Sequence, residues 1–313
     1  MGRFLRIEYK LFTLTLFTYV IVSCQEKSVA LNATKEEQVT KSPKKEASAE
    51  FKAYWYAGKA EITSYELKQA RYGEVREGKA VLIYVTEPFL ADKQVKADGK
   101  NADNISVLKL NSTKNFLTGI YPYSIMNSSF YPVHDNDHAI KIATSVQEWC
   151  GHVYTQLNNK SNKFNITSHS YFGTEADQQF SLEKTILENE IWNKIRINPV
   201  NLPIGAVKVI PSLEFIRLQH KKLKAYNAVT SIEKKGVLSY YKIAYPTLRR
   251  TLTIAFTTSF PHTIENWTET SISGFGANAK SITSSATKIK TLKSPYWQKN
   301  NNSHLPLRDS LGL

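Results

Sequence analysis

The feature that most limits how this chain can fold is a succession of short runs in which apolar and polar residues alternate, each run closed by turn-forming residues. Residues 61–68, 79–86, 106–110, 146–157, 163–172, 213–218, 237–245 and 251–257 all read this way. A period of two sends successive side chains to opposite faces, so these runs are expected to pair as antiparallel strands with one face buried. Glu77 with Gly78, Lys235 with Gly236, and Tyr245-Pro246-Thr247 fall between runs as hairpin turns. A helix is predicted only over 182–197, where Ser181 can cap the first turn, Leu187, Ile191 and Ile195 recur one turn apart, and Asn198-Pro199 ends the pattern. The expected fold is therefore mainly β, an antiparallel barrel or half-barrel with one packed helix. Proline-rich residues 198–211 mark where two β units would join, and no internal repeat is visible.

The N-terminus constrains location. Arg3, Arg6 and Lys10 precede an uncharged run over 11–22, and Ile21-Val22-Ser23-Cys24 closes it. That run is shorter than the ~20 residues a membrane-spanning helix needs. A small residue before cysteine is the cleavage pattern of a lipoprotein signal, which makes 1–23 a signal peptide and Cys24 the lipidated first residue. Residues 25–50 are rich in Lys, Glu, Ser and Ala without an aromatic, so they are expected to form a disordered tether. At ~5–6 Å × √n such a tether reaches ~28 Å. The expected location is the cell envelope, lipid-anchored at the outer membrane, a sorting compatible with Gln25-Glu26-Lys27.

Loss of the signal peptide lowers the net charge of +14 to about +12. The expected partners are the membrane, through lipid on Cys24, and an apolar or anionic envelope ligand; nucleic acid is not expected in that compartment. No cofactor is expected. With Cys24 acylated, Cys150 has no partner thiol and is expected to be buried and inert.

The hairpin over 145–172 offers the most chemistry. One face carries Trp149, Val153, Leu157, Phe164, Ile166 and Phe172; the other carries Glu148, Cys150, His152, Tyr154 and His169. With a turn at 158–162, His152 would face His169 and Cys150 would face Tyr171. Opposed Cβ atoms lie ~4.5–5.5 Å apart, close enough for two imidazoles to share a metal or a proton beside a thiol. Glu148, Cys150, His152 and His169 are thus the candidate catalytic set of a metal- or Cys/His-dependent hydrolase, with a plain polar sheet face as the alternative.

Three weaker constellations remain. His134, Asp135, Asp137 and His138 crowd four potential metal ligands after Pro132, without the glutamate of a zinc peptidase helix. Gly274-Phe275-Gly276-Ala277-Asn278-Ala279 matches a dinucleotide fingerprint by letter, yet no acid follows at the required distance, so a bulge or tight corner is expected. Lys280, Lys288, Lys290 and Lys293 form a candidate anion-binding stripe in an acid-free segment, or a lysine-protected edge strand.

Taken together, AYWYAGKAEITSYELKQARYGEV from Ala53, TGIYPYSIM from Thr118, SVQEWCGHVYTQLNN from Ser145 and SGFGANAK from Ser273 resemble an uncharacterised family of Bacteroidota lipoproteins, over nearly the whole mature chain. Members often carry the label "septum formation inhibitor Maf". That label implies a cytoplasmic α/β nucleotide pyrophosphatase with an N-terminal phosphate motif. This chain departs from it with an export signal and a β-rich body, and no catalytic residue carries over. The leading expectation is a non-enzymatic ligand- or partner-binding envelope lipoprotein, ahead of the hydrolase and the pyrophosphatase.

Overall fold

Alternation over most of the chain does produce strands. The computed structural model describes residues 46–99, 101–134 and 137–313; Cys24, the signal peptide, the tether up to 45, and Asp135 lie outside the described residues. In chain order the elements are α1 (Ala49–Trp55), β1 (Ala60–Arg71), β2 (Glu74–Leu90), β3 (Val95–Lys96), β4 (Asn104–Thr118), β5 (Tyr121–Pro132), β6 (Lys141–Glu148), β7 (Gly151–Lys160), β8 (Lys163–Ser170), β9 (Gln178–Glu183), β10 (Ile186–Leu187), α2 (Glu188–Ile197), β11 (Gly205–Ile210), α3 (Leu213–Leu218), β12 (Tyr226–Lys235), β13 (Leu238–Tyr245), β14 (Arg250–Thr257), β15 (Ile264–Ser273) and β16 (Lys280–Ser294).

All sixteen strands belong to one sheet, running β10-β11-β12-β13-β14-β15-β16-β1-β2-β4-β5-β6-β7-β8-β9, with β3 paired to β2. Every pairing is antiparallel except β10 with β11. The sheet coils until its two ends meet without a hydrogen-bonded ladder between β9 and β10. What joins them is side-chain packing. Leu157, Phe164 and Ile166 from one end form a core with Leu187, Ile210 and Leu213 from the other, flanked by Phe180 and Leu182. The fold is thus a barrel with one unladdered seam.

Alternation decides which face points inward. Leu108, Leu110 and Phe116 of β4, Tyr123 and Ile125 of β5, and Leu252, Ile254 and Phe256 of β14 are buried in the lumen. Their neighbours Asn115, Ser124 and Met126 are exposed. Inside sits α2, with Ile191 and Ile195 wholly buried. The outer face of β1, β2 and β16 is covered in turn by the C-terminus, where Leu311 and Leu313 pack on Ile62, Val81, Ile83 and Leu292.

Several local expectations are corrected. The interior helix begins at Glu188 rather than 182, because Gln178–Glu183 pairs with β8 and Ile186–Leu187 with β11. Residues 213–218 form a helix instead of a strand, capped by Ser212 Oγ accepting from the Phe215 amide at 3.2 Å. Residues 146–157 split at Trp149-Cys150 into two strands, where Gly151 (φ +154°) leaves room for the Tyr171 ring. The stretch expected as tether up to residue 50 already turns helical at Ala49, capped by Ser48. Residues 198–211 lead from α2 through β11, a strand of the same continuous sheet. The turns at Gly236 and at Pro246 form as expected.

Glu77 and Gly78 are not a turn; they lie inside β2, and the hairpin is at Tyr72-Gly73. A Cβ on Gly78 would stand 2.2 Å from the Asn115 carbonyl oxygen and 2.8 Å from Phe116 Cβ. Glycine is required because β4 crosses β2 so closely there. Gly78→Ala is expected to lower stability by about 2–3 kcal/mol in urea unfolding, while Gly173→Ala, with open space around it, should leave the midpoint unchanged.

Candidate functional site

The sequence-derived candidates do not converge. Two residues, Ser161 and Asn162, turn the β7–β8 hairpin, so His169 pairs with Tyr154, and His152 pairs with Gln147 of β6. The expected His152–His169 opposition is therefore shifted by two residues. Cys150 is exposed at a hairpin tip rather than buried. A hydrogen bond that the thiol donates to Glu148, together with the charge of that carboxylate, pushes the thiol up, away from a nucleophilic thiolate. His169 Nδ1 meets Asp177 at 3.2 Å on the outer surface.

The residues after Pro132 diverge. His134 Nε2 lies 3.3 Å from Tyr56 Oη, whereas His138 Nδ1 points inward to Glu190 at 3.1 Å. Among the described residues no group of three or more potential ligands could hold a metal ion. The lysine stripe is dispersed: Lys288 pairs with Glu265 at 2.5 Å, Lys293 Nζ donates to the Tyr54 carbonyl at 2.7 Å, and Lys280 and Lys290 face solvent. Gly274 (φ +94°) and Gly276 (φ +54°) do form a tight corner between β15 and β16.

Sequence reasoning missed the lumen's charged groups. Arg196 of α2 donates to both Glu61 oxygens of β1 at 2.6 and 2.7 Å, joined by the Tyr54 hydroxyl and by the Trp55 and Tyr84 rings at 4.9 and 4.7 Å. Arg250 of β14 grips Glu188 with two nitrogens, holds Glu269 at 2.9 Å and lies 4.2 Å over the Phe215 ring. Lys114 of β4 donates to Glu214 of α3 at 2.7 Å, and Asn127 donates to the other oxygen at 2.9 Å. Glu190 accepts from the Ala139 amide at 2.8 Å. Between these groups lies a polar cavity of about 50 Å³, lined by Ser112, Lys114, Asn127, Trp192 and Glu269. Its size suits water and excludes an organic ligand.

A larger space opens at the seam. A cleft of about 790 Å³ lies between the inner face of β7–β9 and the opposing α3 with its following loop. Its floor is apolar, formed by Val153, Phe180, Leu182, Leu213, Ile216 and Leu223; its rim is basic, formed by Arg217, His220, Lys221, Lys222 and Lys224. Glu175 accepts from Arg217 at 2.9 Å and lies 3.0 Å from His220. Among the described residues no carboxylate salt-bridges Lys221, Lys222 or Lys224, which are exposed. The volume lies within the ~300–1,000 Å³ of small-molecule sites. Its lining comes from two stretches far apart in sequence, and the legible trace is the run His220-Lys221-Lys222-Leu223-Lys224, basic around one leucine.

No protein-family model matches this chain. No curated protein matches it either. A porin-like protein from Bacteroides uniformis, known from its crystal structure, is similar at a TM-score of 0.21 with 10% identity, over 73% of this chain and 95% of that one. So slight a likeness assigns neither activity nor location.

The lumenal ion pairs generate two expectations. Removing one partner strands the other charge in the interior, so Arg196→Met should cost about 3–5 kcal/mol in denaturant unfolding, with much of the loss recovered in the Glu61→Leu/Arg196→Met double variant. For Glu61 and for Glu269, burial pushes the carboxyl up, but Arg196 and Arg250 respectively outweigh it and hold both below the ordinary value. A carboxylate depressed in the folded state stabilises above its unfolded pKa of ~4.3, and that contribution is lost as pH falls through the folded value. Thermal unfolding should therefore give a Tm that declines below about pH 4, and Glu269→Gln should flatten part of that decline.

Proposed function

We propose that this protein is a non-enzymatic lipoprotein of the bacterial envelope, anchored at the outer membrane through Cys24, whose seam cleft binds an anionic amphiphile. The observation that carries the reading is the cleft itself: an apolar floor for a hydrocarbon chain, beside three lysines that no carboxylate among the described residues neutralises. A chain on Phe180, Leu182 and Ile216 leaves water, gaining ~25 cal/mol per Å² of apolar area. Its acidic head then lies within reach of Lys221, Lys222 and Lys224. The basic balance of the chain, +14, favours the same class of partner. The leader ending at Cys24 supports export and acylation.

The test is a titration of the purified protein with a fluorescent fatty acid and with its uncharged alcohol analogue. Lys221→Gln/Lys222→Gln/Lys224→Gln should weaken the acid by roughly tenfold, about 1.4 kcal/mol, and leave the alcohol unchanged, whereas Leu182→Asp should abolish both. Failure of the unmodified protein to bind either probe rejects the cleft. Anchoring is read separately by metabolic palmitate labelling, expected in the native chain and absent in Cys24→Ser.

A further inference from the structure

Antiparallel connectivity among the described residues sends six hairpin tips to one end of the barrel: those between β1 and β2, β4 and β5, β6 and β7, β8 and β9, β13 and β14, and β15 and β16. Turn positions ordinarily hold Gly, Asn, Asp, Ser or Pro. Here five of the six, all but the β13–β14 tip, also carry a large apolar side chain facing solvent: Tyr72 at 38% exposure, Ile120 at 83%, Trp149 at 69%, Tyr171 at 73% and Phe275 at 65%. At the opposite end, the β7–β8 tip is Ser161-Asn162, and the β12–β13 tip, Gly236-Val237, exposes one aliphatic side chain and no aromatic ring.

The tips form a connected edge. The Phe275 and Tyr72 rings lie 6.1 Å apart, the Tyr72 and Tyr123 hydroxyls are hydrogen-bonded at 2.8 Å, and the Tyr121 ring lies 6.5 Å from Trp149. Further round, Tyr171 packs on Phe172 at 5.7 Å, and Arg217 at the cleft rim lies 4.2 Å over the Phe172 ring. The loop bearing Lys221, Lys222 and Lys224 is at this same end, because it connects the end of α3 to the start of β12. Aromatic rings with polar atoms, mixed with aliphatic residues and flanked by lysines, match the headgroup and acyl boundary of a bilayer and its negative surface potential.

We infer that this aromatic edge is a membrane-docking surface, which seats the mouth of the cleft on the interface of a bilayer containing anionic phospholipid. The inference deepens the proposed function and rests on it for the purpose of docking, though not for the contact itself. α1 joins the fold at the other end, where Thr86 Oγ1 donates to the Trp55 carbonyl at 2.6 Å, so the contact is independent of an anchor at Cys24. Charge complementarity selects the partner: the cleft-side lysines add attraction of the kind worth about tenfold in partition for each lysine or two near an anionic surface.

The experiment uses the mature chain from Gln25 onward, so that neither an acyl group nor the apolar leader tethers it, floated with vesicles of phosphatidylcholine with and without phosphatidylglycerol. Association is expected with the anionic vesicles, falling with added salt, together with a blue shift in tryptophan emission that Trp149→Phe removes. Ile120→Ser/Trp149→Ser/Phe275→Ser should lose on the order of a hundredfold in partition while keeping its unfolding midpoint and its binding of the soluble fatty-acid probe. Flotation of this variant equal to that of the parent, or none by the parent, overturns the docking surface. Flotation lost in the variant with no probe bound by the parent upholds docking and rejects the cleft reading alone.

Discussion

A helix as polar as α2 has no place inside a barrel unless its charges are met there. Of its buried residues only Ile191 and Ile195 are aliphatic; Glu188, Glu190, Asn193, Lys194 and Arg196 are buried with them. The sheet meets each of the two principal charges with a bidentate partner, Glu61 from β1 and Arg250 from β14. Such pairs stabilise little over an apolar filling, because desolvation offsets most of the attraction. Their effect is specificity: a helix rotated by one residue would leave two ions unpaired. The position of α2 sets the lumen's contents, and those contents set how far the sheet must coil.

The polarity of the wall follows from the same arrangement. Inward positions of β4, β5 and β14 hold mostly Leu, Ile, Phe and Tyr, with Lys114, Asn127 and Arg250 paired among them; outward positions hold mostly Asn, Ser, Thr and Lys, with Leu117 and Met126 exposed. A barrel that spans a bilayer shows the reverse, with an apolar exterior and a polar interior. The exposed apolar residues within this wall are scattered, as Met126, Val229 and Ile232 are, whereas five of the hairpin tips at one end each carry a large one. The cleft exists because β9 and β10 are consecutive in sequence yet unpaired with one another, so their inner faces part beside α3.

Much of this sheet could be read from alternation, and the turns at Gly236 and Pro246 from their residues. What was hidden had specific causes. Leu213, Phe215 and Arg217 alternate like a strand, but all six residues of α3 are buried on every side, which erases the periodicity that separates helix from strand. The break at Trp149-Cys150 was masked because neither turn residue is of the usual Gly, Asn or Pro kind; its trace was the change of parity that turns both Val146 and Val153 inward. Register in the following hairpin depended on whether Asn158–Lys160 belonged to strand or turn, and pairing of Lys160 with Lys163 moved His169 two residues from its expected partner. The lumenal salt bridges join positions such as 61 with 196 and 188 with 250, separations no local pattern reports. The candidate metal residues fared similarly: adjacency in sequence placed His134 and His138 together, and the chain turned one outward and one inward.

The seam has a mechanical consequence. Everywhere else in the wall, parting two strands means breaking a row of amide-to-carbonyl bonds together; between β9 and the α3 side it means separating side chains alone, around the short Lys184-Thr185 corner. The wall can therefore part there, like the lips of a slot, without the sheet unfolding, and what resists it is the packing of Phe180 and Leu182 near Leu213 and Ile216 together with the Arg217–Glu175 ion pair.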